Sequence, residues 1–216
     1  MEFLKFMNES GAVGWFILGV GFTCIALVGE RFYALFVKYH INAEFLMAKV
    51  QSLIIARKYE QALVLCAEMK HKPLAQAFKG ILERSDRDED AIFQAQEIAL
   101  AENLPHISKR LHYLSMLANV ATLLGLLGTI HGLILSFQAV ASADPSQKQA
   151  LLASGISVSM YTTALGLAVA IPAMVFYSVL VARQNSMTED LVEKTSKLTE
   201  LLTNPHAHVQ SNERVS

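Results

Sequence analysis

Three long stretches of the chain carry no charged side chain. They cover residues 11–29, 111–143 and 149–182. A helix needs about 20 predominantly apolar residues to cross the hydrocarbon core of a membrane, which is roughly 30 Å thick. The first stretch reaches that length if its helix continues to Val37, and the other two, at about 1.5 Å per residue, are longer than the core. The pattern therefore predicts an all-α integral membrane protein with three transmembrane helices, two of which extend past the bilayer.

The lysines and arginines indicate which side of the membrane each segment faces. Of 18 such residues, only Lys5 and Lys148 lie outside the region 38–110, the C-terminal tail and the span ends that adjoin them. Because positive charge is retained in the cytoplasm, we predict an N-terminus outside and two long helices that extend into the cytoplasm. Glu2 and Glu9 stand where a cleaved signal would have basic residues, so we expect the first stretch to be a retained span.

The polar region between the first two spans is predicted to be helical. Asn42 and the acidic run 85–90 are typical helix starts, Pro73 is a favourable first-turn residue, and Pro105 is expected to open the helix that becomes the second span.

The predicted segments, in chain order, are an outer segment (1–10), the first span (11–37), a cytoplasmic helical region (38–110), the second span (111–142), an outer turn (143–150), the third span (151–183), and a cytoplasmic helix with a disordered tail (184–216).

Other features of the sequence argue against several classes of function. The net charge is −1, so no basic field indicates a nucleic-acid partner. The chain has no glycine-rich phosphate loop and no catalytic Ser, His and Asp set, and neither Cys24 nor Cys66 has a metal ligand at typical spacing. We therefore expect no enzyme, no cofactor and no metal site.

The second and third spans each contain a seam of small residues spaced three or four apart. Such seams let helices approach closely in lipid, where packing drives association. Helix packing alone therefore explains most of the glycines and alanines. The seam of the second span is Ser115, Ala118, Thr122, Gly125, Thr129, Gly132, Ser136 and Ala139, and that of the third is Gly155, Ser159, Thr163, Gly166, Ala170 and Ala173.

Two threonines of these seams are expected at one depth in the membrane. Thr129 lies about 17 residues before the turn centred near residue 146, and Thr163 about 17 residues after it. In an antiparallel helix pair both would lie roughly 25 Å from that turn. No Asp or Glu occurs in either span, and His131 is the only ionisable side chain near their middle. Since proton paths use an ionisable carrier, a moving proton would need a carboxylate from another protein.

The motifs that contain these threonines resemble a known family. GLLGTIHGLILSF (125–137), GISVSMYTTALGLAVAIPA (155–173) and GER (29–31) resemble the MotA/TolQ/ExbB proton-channel family, specifically its three-span TolQ/ExbB branch. The resemblance implies a bacterial inner-membrane motor subunit that forms a homopentamer around two copies of a single-span ExbD- or TolR-like partner with a membrane aspartate. It also implies that proton flow powers transport, envelope integrity or motility.

The resemblance also implies roles for individual residues. The pore threonines of the family fall on Thr129 and Thr163. Two positions depart from the family, because Val158 stands where a glutamate is common and His131 where a tryptophan is frequent. The predicted proton-pathway or pore-lining residues are Thr129, Thr163, Thr162, Ser159, Ser136 and His131, and those predicted at helix packing or ring interfaces are Gly125, Gly128, Gly132, Gly155, Gly166 and Pro172.

Two other classes of function remain open from the sequence. A transporter permease subunit would move a solute by itself, but the chain lacks an inverted repeat and membrane charge. A passive assembly scaffold would need only the small-residue seams. A neighbouring gene for a single-span protein with a membrane aspartate would favour the motor subunit over both alternatives.

Overall fold

The computed structural model describes residues 11–204, and every element of regular structure in that range is a helix. The predicted outer segment 1–10 and the tail beyond residue 204 lie outside the described residues. The elements are α1 (Gly11–Tyr33), a π-helical turn (Ala34–Lys38), α2 (Ala43–Ile55), α3 (Tyr59–Glu68), α4 (Pro73–Leu82), α5 (Glu89–Ser108), α6 (Leu111–Ala141) and α7 (Lys148–Thr203).

Within residues 11–204, three helical segments are long and apolar enough to cross a membrane. They lie within Val13–Ile55, Glu89–Ala141 and Lys148–Thr203. The described residues divide into two compact units. The membrane unit comprises residues 11–31 and 110–179, and the polar unit comprises residues 32–109 and 180–204.

In the membrane unit, α1 presents one narrow buried stripe. Gly14, Ile17, Gly21, Cys24 and Arg31 are buried, at intervals that keep them on a single helix face. The stripe packs on α7, where a Cβ atom added to Gly21 would lie 3.1 Å from a methyl group of Val169. The large apolar side chains of the other faces, such as Trp15 and Phe22, are exposed, as expected of surfaces that meet lipid or another protein.

In the polar unit, three predicted helix starts are confirmed. The Asn42 side chain accepts a hydrogen bond from the Phe45 backbone N–H at 3.0 Å and caps α2. Pro73 is the first residue of α4, and α5 begins at Glu89 after Asp88. The core of this unit is mostly apolar, and its fully buried side chains include Leu46, Val50, Phe78, Ile81, Ile107, Leu191 and Leu198.

A buried lysine also ties α2 to the end of α7 in the polar unit. The side chain of Lys194 is 2% exposed, and its Nζ donates to Glu44 and, at 3.1 Å, to Glu193. The hydrogen bond to Glu44 raises the pKa of Lys194 although desolvation opposes the shift, so this lysine stays charged.

The prediction that Pro105 opens the second span is wrong. Pro105 lies inside α5, which continues to Ser108, and the chain breaks at Arg110, whose φ of 66° is in the left-handed region. Proline removes a single hydrogen bond from the helix, and α5 tolerates that loss three residues before its end. The left-handed conformation of Arg110 interrupts the helix, so α6 begins one residue later at Leu111.

Candidate functional site

The two threonines predicted to share a depth lie in direct contact. Thr129 on α6 and Thr163 on α7 place their hydroxyl oxygens within hydrogen-bond distance of each other. Both hydroxyls also face one backbone carbonyl, that of Gly125, at 3.1 Å from Thr129 Oγ1 and 3.0 Å from Thr163 Oγ1. We call Thr129, Thr163 and the Gly125 carbonyl the threonine station.

The hydrogens of the station can be counted. Each hydroxyl has one hydrogen to donate and two lone pairs with which to accept. The Gly125 carbonyl already accepts the helical N–H of Thr129, which leaves it one lone pair for a hydroxyl. One threonine therefore donates to Gly125 and the other donates to the first threonine. Both hydrogens are used within the subunit, while hydroxyl lone pairs remain free.

Close approach of the two helices creates this arrangement. A Cβ atom on Gly125 would lie 3.2 Å from both the Thr162 carbonyl oxygen and the Thr163 Cα, and one on Gly166 would lie 2.6 Å from the Ala121 carbonyl oxygen. Real Cβ atoms essentially never approach another atom to 2.6 Å, and contacts of 3.2 Å are tighter than nine in ten. Glycine at position 166 is therefore required for this close approach, and position 125 leaves little room for a larger residue.

The contact continues along both helices in antiparallel register. Gly128 faces Thr162, where an added Cβ would lie 2.7 Å from the threonine Oγ1. Further along α6, Gly132 faces Ser159 and Ser136 faces Gly155, and in both pairs a Cβ on the glycine would collide with the serine hydroxyl. Each glycine thus leaves space for a hydroxyl-bearing side chain of the opposite helix, which packs against it.

The hydroxyls outside the station bond within their own helices. Ser136 donates to Gly132 at 2.7 Å, Ser159 to Gly155 at 2.8 Å, and Thr162 to Ser159 at 2.7 Å. Such bonds satisfy a hydroxyl without a partner helix. Thr162 and Ser159 are also buried against glycines, so within the subunit they pack the two helices together.

A groove of about 440 Å³ opens beside this contact. We call it the serine groove. His131 and Val158 lie on its wall, at the two positions that depart from the family pattern. Among the described residues that line it, none is Asp, Glu, Lys or Arg, and they include Val13, Gly128, His131, Gly132, Ser136, Ser154, Gly155, Val158, Ser159 and Thr162.

Two predicted residues lie away from the station. His131 is exposed on α6 and lines the serine groove. Pro172 is exposed on α7. Its predicted place at an interface between subunits stays a prediction.

Sequence reasoning missed two parts of the site. The Gly125 carbonyl is a backbone acceptor, which no side-chain motif reveals, although its glycine was predicted as a packing residue. Ser154 lines the serine groove but stands one residue before the seam of the third span. A helical projection of the third span with a wider polar face would have included it.

The sequence also matches known proteins. A family model described as the MotA/TolQ/ExbB proton channel family matches residues 42–193. The biopolymer transport protein exbB1 of Vibrio cholerae is 42% identical over 80 residues, which cover 37% of this chain and 35% of the relative. The Tol-Pal system protein TolQ of Haemophilus influenzae is 30% identical over 109 residues, which cover 50% of this chain and 47% of the relative. The chain thus spans between a third and a half of the length of these relatives.

The fold has a counterpart among solved structures. The structure of C. jejuni MotAB matches with a TM-score of 0.58 over 87% of this chain and 74% of the matched chain, at 19% identity. The residues matched by the family model contain both threonines and the glycines that face them. The resemblance expected from residues 125–137 and 155–173 is confirmed, and the chain belongs to the MotA/TolQ/ExbB proton channel family.

Proposed function

We propose that the chain is the proton-channel subunit of a motor driven by the proton-motive force in a bacterial inner membrane. Five copies form a ring around two copies of a single-span partner similar to ExbD or TolR, and proton flow powers work in the cell envelope. The observation that carries this proposal is the threonine station, in which two hydroxyls lie at one depth. The predicted spans that hold them, 111–142 and 151–183, contain no Asp or Glu.

The hydrogen count of the station suggests how it treats a partner carboxyl group. A protonated carboxylic acid is a donor, and it can donate to a free hydroxyl lone pair while both threonine hydrogens stay in place. An ionised carboxylate only accepts, so a threonine must turn its hydrogen away from the station to bind it. The station therefore binds the two protonation states with different free energies, and such a difference is what couples proton transfer to a conformational change.

The proposed orientation follows from the charge distribution and gives a direct test. Burial raises the pKa of the Cys66 thiol to about 11, and Cys24 is 3% exposed, so the native cysteines should give little background labelling. In intact cells an impermeant maleimide should label the Gln147→Cys variant. It should label the Arg87→Cys variant only after permeabilisation. Labelling of the Arg87→Cys variant from outside would reverse the orientation.

The proposed assembly predicts a particular mass and a particular ion flux. Native mass spectrometry of the detergent-solubilised protein should show five copies, and two further copies of a single-span partner with a membrane aspartate after co-expression. Membrane vesicles that contain both proteins should take up protons, as measured with a pH-sensitive dye, and vesicles whose partner carries Asp→Asn should not. A stable dimer, or equal uptake with both partners, would contradict the proposal and favour a scaffold or a permease.

A further inference from the structure

The polar unit contains a cavity of about 220 Å³ whose polar lining is rich in nitrogen donors. We call it the basic pocket. The side chains that matter for its chemistry are Lys38, Lys70, His71, Gln76, Asn103 and His106. No aspartate or glutamate of the described part of the chain lines it. Four basic side chains therefore line one cavity without a carboxylate from residues 11–204.

The basic groups of the pocket are not engaged elsewhere. Among the described residues, Lys70, His71 and His106 make no hydrogen bond or ion pair, and Lys38 makes only a cation–π contact 5.7 Å from the Tyr39 ring centroid. Water-exposed lysines commonly have free ammonium groups. Here, however, two lysines lie in one concave site, and two ammonium groups in the same site repel each other unless an anion neutralises them.

The frame of the pocket is fixed by hydrogen bonds. Lys72 Nζ donates to the His40 carbonyl at 2.6 Å and lies 3.5 Å from the Val37 carbonyl, which joins the start of α4 to the chain after the π-helical turn. Asn103 is 8% exposed and donates to the Ala99 carbonyl at 2.8 Å. Lys72 thus supplies a structural bond beside the pocket, while its neighbours Lys70 and His71 stay free to bind a ligand.

The start of α4 adds to the positive field. Pro73 lines the pocket as the first residue of that helix, and no side chain caps its first turn. The N-terminus of a helix carries a partial positive charge. At about 220 Å³ the cavity has room for a phosphate group.

We propose that the basic pocket binds the phosphate of an anionic phospholipid headgroup. Lys38 directly follows the predicted first span, so the pocket begins where the chain leaves the bilayer, and basic pockets at that level recognise acidic headgroups. Lys38 and Lys70 supply the charge, and His71 and His106 supply hydrogen-bond donors. The inference rests on the membrane-spanning assignment of α1 and is independent of the proton pathway.

Lipid titration of the full-length protein tests the proposal. The detergent-purified protein is titrated with phosphatidylglycerol, and bound lipid is counted by native mass spectrometry. A lysine near a membrane surface contributes about 1 kcal/mol, or about fivefold in affinity. The Lys38→Gln/Lys70→Gln variant should therefore bind roughly 25-fold more weakly. The Lys49→Gln/Lys79→Gln variant, which removes the same charge elsewhere in the polar unit, should bind as the unmodified protein does.

Three further measurements test the role of charge, the choice of headgroup and the source of the phosphate. The Lys38→Arg/Lys70→Arg variant should retain binding, which shows that charge and not a lost fold explains the effect. Phosphatidylcholine, whose headgroup has no net charge, should bind weakly to all variants. Equal phosphatidylglycerol binding by the Gln variant and the control would overturn the proposal. Displacement of the lipid by millimolar inorganic phosphate would also overturn it, because the ligand would then be a soluble phosphate.

Discussion

Gly166→Leu is expected to abolish the folded complex, and Gly166→Ala to lower the free energy of unfolding by about 2 kcal/mol. A Cβ atom at Gly166 would lie 2.6 Å from the Ala121 carbonyl oxygen and 3.0 Å from the Gly125 Cα. Both atoms belong to the backbone of α6, so neither can rotate away. Alanine can be accommodated only if the two helices move apart, and leucine cannot be accommodated in this register.

Gly19 offers a matched control for this experiment. It lies in α1 of the same membrane unit, and a Cβ atom there would have no atom within 4 Å. The Gly19→Ala and Gly19→Leu variants should therefore fold with near-normal yield. The measurement is complex yield and thermal unfolding in detergent, followed by size-exclusion chromatography. Normal stability of the Gly166→Leu variant would show that the two helices are not packed as described.

Thr129→Val and Thr163→Val should each lower proton flux by roughly 10- to 100-fold, with the complex intact. Valine has nearly the shape of threonine, and the remaining threonine can still donate to the Gly125 carbonyl, so the complex should stay folded. The substitution removes a hydroxyl that, in the proposed mechanism, meets a partner carboxyl group, and a hydrogen bond to a charged group contributes about 1.5–3 kcal/mol. Flux is measured in vesicles with the partner present, and complex yield is measured in parallel.

Thr122 and Thr162 provide controls with the same chemical change. Thr122 donates to the Ala118 carbonyl at 3.2 Å, and Thr162 donates to the Ser159 carbonyl, so each bonds within its own helix. Their valine variants should keep most of the flux. If all four variants behave alike, or if the Thr129 and Thr163 variants keep full flux in an intact complex, the threonine station has no part in proton movement.

The shared depth of Thr129 and Thr163 could be predicted from the sequence, because it depends only on how many residues separate each threonine from the turn. Two helices that leave a short turn in opposite directions rise equally per residue, so equal distances from the turn give equal depth. Sequence spacing does not fix the rotation of one helix against the other. The seam of α6 was predicted to include Thr122 and Ala139, yet both are exposed, and the buried face includes Ala121 and Gly128 instead.

Other features depend on long-range contacts that no local pattern encodes. Arg110 takes a left-handed conformation although it is not glycine, so the break before α6 has no sequence signal, whereas Pro105 gives a misleading one. The basic pocket joins Lys38, Lys70 and His106, which are far apart in the chain. Its existence follows only from how α4 and α5 pack within the polar unit.

The shared acceptor of the threonine station has a consequence for how it can be observed. Either threonine can be the one that donates to Gly125, so the same heavy-atom positions support two directions of the hydrogen-bond chain. The two directions differ only in where two hydrogens point. Density maps at ordinary resolution do not show hydrogens, so an identical map would describe both. Infrared spectroscopy of the hydroxyl stretch, or neutron scattering after deuteration, would distinguish them and would show whether an approaching acid reverses the polarity.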